Sequence, residues 1–90
     1  MLAAMKKSKT QLSMREIFGQ NLRRARRLKD ISQEELALRS ELSRTYVSEV
    51  ERGIRNVSID NMDILSHALG ISLSELVNPE MFAAIQGHLD

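Results

Sequence analysis

The chain has no cysteine, no tryptophan, one proline and three aromatic residues, Phe18, Tyr46 and Phe82. Without cysteine there is no disulfide, no thiolate zinc site and no cysteine nucleophile, a composition that fits a reducing cytoplasm. With so few aromatics the core must be aliphatic, which suits a helical bundle better than a sheet. No apolar run is longer than that from Met81 to Ile85, far short of the roughly 20 residues that cross a bilayer. The first residues, MLAAMKKSKTQ, carry their charges after the apolar positions, unlike a secretory signal. Basic residues are missing from one half altogether. All 13 Lys and Arg fall in residues 1–55, with seven acids, whereas residues 56–90 hold five acids and no base. The formal total of +1 therefore conceals a half of net +6 and a half of −5. Such asymmetry points to a half that binds a polyanion. The two histidines, His67 and His88, provide neither metal-ligand spacing nor a catalytic triad. His67 is expected to be a partly buried structural residue. No catalytic residue, metal or cofactor is expected.

Ninety residues make one small domain. Residues 1–12 lack periodicity and carry Lys6, Lys7 and Lys9, so they are expected to be a disordered basic arm, a solubilising tail rather than a DNA-tracking one. Ser13 with Glu16 has the spacing of a capping box, and the helix it opens runs to about Leu28. Phe18, Leu22 and Ala25 form its apolar face, with Ile17 and Leu28 beside them. Arg26 lies close enough to that face to be partly buried. A buried guanidinium needs a carboxylate, and Glu51 is the candidate. Asp30 stands at the first corner, where an aspartate tolerates the left-handed conformation. Ser32 and Glu35 form a second S-x-x-E start, followed by inward-facing Leu36 and Ala37. After a corner at Glu41 and Leu42, Ser43 caps a third helix that Gly53 ends, with Val47 and Val50 on its inner side. Ser58 opens a fourth helix, whose Ile59, Met62, Leu65 and Leu69 are expected to face the core, and Gly70 ends it. Ser72 opens a short fifth helix. Asn78 and Pro79 start a last one, carrying Met81, Phe82, Ile85 and Leu89. The reading is all-α: a five-helix bundle over 13–77 with a short extra C-terminal helix in 78–90.

Two short helices around a tight corner, with a small residue in the first, make a helix-turn-helix. Leu36, Leu42, Val47 and Val50 lock the pair, and Ala37 lets it cross closely. Arg44, Thr45, Ser48 and Glu49 are then placed to touch base edges. Arg44 can bond guanine O6 and N7 together, Thr45 suits thymine, and Glu49 can accept from cytosine N4. Gln33, Tyr46, Arg52, Arg55 and Asn56 are the candidates for phosphate contacts.

From Phe18 to Val77 the chain resembles the Xre/Cro-type helix-turn-helix family of phage repressors, in the stretches LRRARR (22–27), ISQEELA (31–37), LSRTYVSEVERG (42–53) and HALGISLSELV (67–77). Within that family RTYVSEVERGIRN (44–56) is similar to the controller proteins of restriction–modification systems. The resemblance implies a lambda-repressor-like DNA-binding fold, a buried pair at Arg26 and Glu51, and DNA contacts from the R-T-Y segment and the later R-N pair. It also implies a homodimer whose last helices meet across a two-fold axis, with Leu73, Leu76, Val77, Met81, Phe82 and Ile85 as interface candidates, Phe82 and Ile85 reading equally well as ordinary core. In two respects the chain departs from the family. The tail from Asn78 to Asp90 lies beyond the usual fold, where it can extend the dimer interface. The corner position usually held by Gly or Asn is Glu41, so the corner is either strained, at about 1 kcal/mol, or differently shaped. The expected function is a cytoplasmic regulator of transcription that binds a palindromic operator on double-stranded DNA, with no membrane and no small-molecule ligand. The rival reading is a protein-interaction module, an antitoxin or adaptor, built on the same fold.

Overall fold

The computed structural model describes residues 11–82. Five helices follow one another: α1 (Met14–Leu28), α2 (Gln33–Ser40), α3 (Arg44–Glu51), α4 (Ile59–Leu69) and α5 (Leu73–Leu76). No strand occurs among the described residues. Most of the expected basic arm, with Lys6, Lys7 and Lys9, lies outside them, as do Ile85, His88 and Leu89.

Every one of the five helices starts on a serine. The hydroxyls of Ser13, Ser32, Ser43, Ser58 and Ser72 each accept from the backbone N–H three residues on, at 2.9–3.2 Å. Each hydroxyl thereby satisfies one of the four donors that a helix leaves unpaired at its start. At Ser13 and Ser72 the box is reciprocal, because Glu16 and Glu75 reach back to the cap. At Ser32 it is only half formed. Glu35 is drawn instead to Arg39 one turn on, at 2.9 Å.

The first four helices also stop in one way. A residue with positive φ (Asp30, Glu41, Gly53 or Gly70) is followed by an apolar residue. The backbone N–H of that residue returns to a carbonyl five positions back: Ile31 to Arg26, Leu42 to Ala37, Ile54 to Glu49 and Ile71 to Ser66. This is the bonding of the Schellman motif. Glu41 does take the left-handed conformation, at φ 56°, ψ 38°. The corner is left-handed, at the energetic cost of a side chain where glycine is free of strain.

The helices share one core, built from Phe18, Leu22, Ala25, Leu36, Ala37, Val47, Val50, Leu65, Leu69, Leu76 and Phe82. α1 packs on α3 and α5, α2 on α3 and α4, and α4 on α5. α1 and α3 approach unusually closely at Gly19, where an added Cβ would lie 2.3 Å from the Val50 carbonyl oxygen. Asn21, buried on the apolar side of α1, donates to the carbonyls of Leu76 and Asn78, both at 2.9 Å. That double bond pins the end of α5 to α1.

Four expectations are corrected. Ile59 is 72% exposed: it is the first residue of α4, and the inward face begins at Met62. Leu28, at the last turn of α1, also points to solvent. His67 is exposed, with a weak i,i+4 approach of 3.7 Å to Asp63. Finally, residues 79–82 form turns rather than the start of a helix, and they fold Phe82 back into the core.

Candidate nucleic-acid interface

Arg26 and Glu51 organise the site. Arg26 donates from Nε to Glu51 Oε2 at 2.6 Å and from Nη2 to Oε1 at 2.9 Å, while Nη1 bonds the Ile31 carbonyl at 2.8 Å. The Glu51 side chain is 1% exposed. Gln33 completes the group, donating from Nε2 to Glu51 Oε1 at 3.0 Å. The start of α2, the end of α3 and the last turn of α1 thus meet at one carboxylate. Burying two charges is costly, and the bidentate geometry with two further bonds is what offsets it. The arrangement sets the direction of α3 relative to α1 and α2.

Gln33, Arg44, Thr45, Ser48 and Arg52 line one open, shallow depression on the surface. Arg44 and Thr45 are exposed and Ser48 is half-buried. Arg52, the residue that caps α3, is exposed too. Among the described residues neither Arg44 nor Arg52 has an acid partner. The face is therefore cationic, set with hydroxyls and one amide, and free of carboxylates.

Glu49 is placed differently from its assignment as a base reader. Its carboxylate meets Arg55 Nε at 3.3 Å. The guanidinium of Arg55 also lies over the Tyr46 ring, 4.8 Å from its centre, within the range of a cation–π contact. The Tyr46 hydroxyl in turn accepts from Asn61 Nδ2 at 2.9 Å. Glu49, Arg55 and Tyr46 hence form a second group beside the depression. Asn56 is in neither; it lines a separate hollow with Ser13, Met14 and Arg15 at the start of α1.

Of the interface candidates, Leu76 is wholly buried and Phe82 is 6% exposed, both in the core of the subunit itself. Neither has surface left to offer a partner. Leu73, Val77 and Met81 are half-buried against that core.

Three residues that shape the site had been passed over. Gly19 sits on the inner side of α1, but nothing in the linear pattern tells a packing glycine from a merely tolerated one. Asn21 carried a signal: a polar side chain three residues after Phe18, on the same face. Asn61 carried none, since its partner Tyr46 is fifteen residues away.

A short helix locked across a second one, with that second helix turning unpaired arginines and hydroxyls outward, is the arrangement of helix-turn-helix proteins. The chain matches the helix-turn-helix family (HTH_3) over residues 22–76 and belongs to it. Within the family its relatives include control proteins and other transcription regulators. It is 46% identical over 67 residues to the control protein C.BamHI of Bacillus amyloliquefaciens, spanning 73% of this chain and 83% of that one. Among solved structures it is similar to the controller protein C.AhdI of Aeromonas hydrophila. The TM-score there is 0.67 at 52% identity, covering 69% of this chain and 94% of the other. It is also similar to the controller C.Esp1396I, solved as a tetramer in complex with its natural 35-base-pair operator. That match has a TM-score of 0.70 at 28% identity and covers 80% and 99% of the two chains.

Proposed function

We propose that this chain is a sequence-specific DNA-binding regulator of transcription, of the restriction–modification controller type, that acts as a homodimer on a two-fold operator. The observation that carries the reading is the carboxylate-free depression of Gln33, Arg44, Thr45, Ser48 and Arg52. Its shape follows from mounting α3 on the Arg26–Glu51 pair. Each subunit lays α3 in a major groove. Arg44, Thr45 and Ser48 read base edges, with Arg44 able to grip guanine O6 and N7 together. Gln33, Tyr46, Arg52, Arg55 and Asn56 hold phosphates on either side. Glu49 belongs with Arg55 as its anchor. In this reading Leu73, Val77 and Met81 remain the described residues for the subunit contact. Among the described residues no helix is long and apolar enough to cross a membrane.

The test is selection of bound duplexes from a random pool, followed by fluorescence anisotropy on the recovered duplex at two salt concentrations. Two half-sites should emerge with centres about one helical turn, ~10 bp, apart. Affinity should fall steeply with salt, because each neutralised phosphate contributes a slope of about −0.9 in log K against log salt. Arg44→Ala should weaken the selected duplex by ~1–3 kcal/mol and narrow its advantage over random DNA. A chain that binds no duplex at low salt refutes the reading and leaves the interaction-module alternative.

A further inference from the structure

We propose that Asn61, on α4 and outside the helix-turn-helix, is a positioning residue that keeps the Tyr46 hydroxyl a hydrogen-bond donor towards DNA. The inference rests on the DNA-binding reading above and goes beyond it.

Three elements meet at Tyr46. The residue belongs to α3 and is half-buried. Arg55, from the loop after α3, covers its ring at 4.8 Å and is held there by Glu49 at 3.3 Å. Asn61, in the first turn of α4, points its Nδ2 at the phenol oxygen from 2.9 Å.

The chemistry follows from the direction of that bond. An amide NH₂ can only donate, so the phenol oxygen is the acceptor. A phenol has one hydrogen, and among the described residues no group takes it. That hydrogen is left for an outside partner, which has to be an acceptor: a phosphate oxygen, or an acceptor atom on a base edge. With the ring clamped by Arg55 and the oxygen fixed by Asn61, turning the hydrogen inward would give up the Asn61 bond, so the hydrogen stays directed at an outside acceptor. Asn61 thus specifies what Tyr46 recognises while remaining clear of the depression that faces DNA. The backbone N–H of Asn61 is separately used by the Ser58 cap at 3.0 Å, so replacing the side chain leaves the start of α4 intact.

The experiment measures affinity for the duplex selected from the random pool, using the full chain and five variants: Asn61→Ala, Asn61→Asp, Tyr46→Phe and Tyr46→Phe combined with each of the two Asn61 changes. Asn61→Ala should bind several-fold more weakly. Asn61→Asp should lose more, on the order of tenfold, because a carboxylate in that place accepts the phenol hydrogen and removes the donor. In the Tyr46→Phe background both Asn61 changes should be silent to within about twofold, the non-additivity expected of residues acting through one atom. Losses of equal size with and without the hydroxyl would show that Asn61 acts through charge or the fold, and would overturn the proposal. So would an Asn61→Asp variant that binds as tightly as the parent. If the unaltered chain binds no duplex, the functional reading itself has failed. Thermal unfolding of each variant separates a loss of contact from a loss of fold.

Discussion

Gly19→Ala is a severe test of how α3 is mounted, because two effects of similar size oppose each other. In an ordinary helix interior the change would stabilise by up to about 1 kcal/mol through helix propensity. Here the new methyl would lie 2.3 Å from the Val50 carbonyl oxygen, 3.0 Å from that of Glu51 and 3.2 Å from the Glu51 carbonyl carbon. All three are backbone atoms, so no side chain can swing aside. Ordinary contact would require α1 and α3 to separate by about an ångström. A gap of that size forfeits a quarter to a half of the dispersion attraction across it. Phe18 and Leu22 would then lose packing in the core they share with Val47 and Val50. The 2.6 Å Arg26–Glu51 bond spans the same two helices. Overpacking of this kind costs about 1–3 kcal/mol, and with backbone on both sides we place Gly19→Ala near the upper end, so that steric cost exceeds propensity. Urea unfolding should show a net loss of about 1–2 kcal/mol. In a domain of this size each kcal/mol lowers Tm by about 4–8 °C. A variant as stable as the parent, or more so, would refute the claim that Gly19 sets the α1–α3 distance.

Four further outcomes are expected. Arg26→Met strands the buried Glu51 carboxylate with Gln33 alone and should cost ~3–5 kcal/mol in urea unfolding, most of it recovered by adding Glu51→Leu. Glu41→Gly relieves the left-handed corner and should raise the urea midpoint by the equivalent of about 1 kcal/mol; a lower midpoint would mean that the corner is unstrained. Asn21→Leu removes the donor that two carbonyls share and should cost ~1–3 kcal/mol, with faster amide exchange around Leu76. Arg23 and Arg27 are exposed on α1 without an acid partner among the described residues. If they extend the phosphate track, the double change to Ala reduces the salt slope by about 0.9 per lost contact and leaves sequence preference unchanged. An unchanged slope would place them off the DNA.

Local rules were legible in the linear order of residues. Serine before each helix, and a left-handed residue followed by an apolar one after the first four, mark the boundaries, because capping joins residues only three to five positions apart. The Arg26–Glu51 pair was legible for another reason: a charged side chain beside an apolar stripe demands a counter-charge, and the family resemblance implies Glu51. Which apolar residues face in was less so. Ile59 fits the spacing of α4 yet stands in water, because it lies a full turn ahead of the helix's first inward contact. In the linear order Leu76 reads as apolar surface for a second subunit, and Phe82 as either that or core. They fill this one, since Asn21 draws the end of α5 onto α1 and the turn at 79–82 folds the chain back.

The candidate site divides along the same line. Its inventory of arginines, hydroxyls and amides can be read from residues 33–56, because their exposure follows from the helical period of a short, well-capped segment. The choice between reading DNA and holding a neighbour belongs to the tertiary structure. Glu49 turns to Arg55, Gln33 gives one hydrogen to Glu51, and Tyr46 takes its polarity from Asn61. Each of these bonds runs between different elements of the fold, and a hydrogen bond is directional. Only packing decides which partner lies close by and which atom of it is aimed inward.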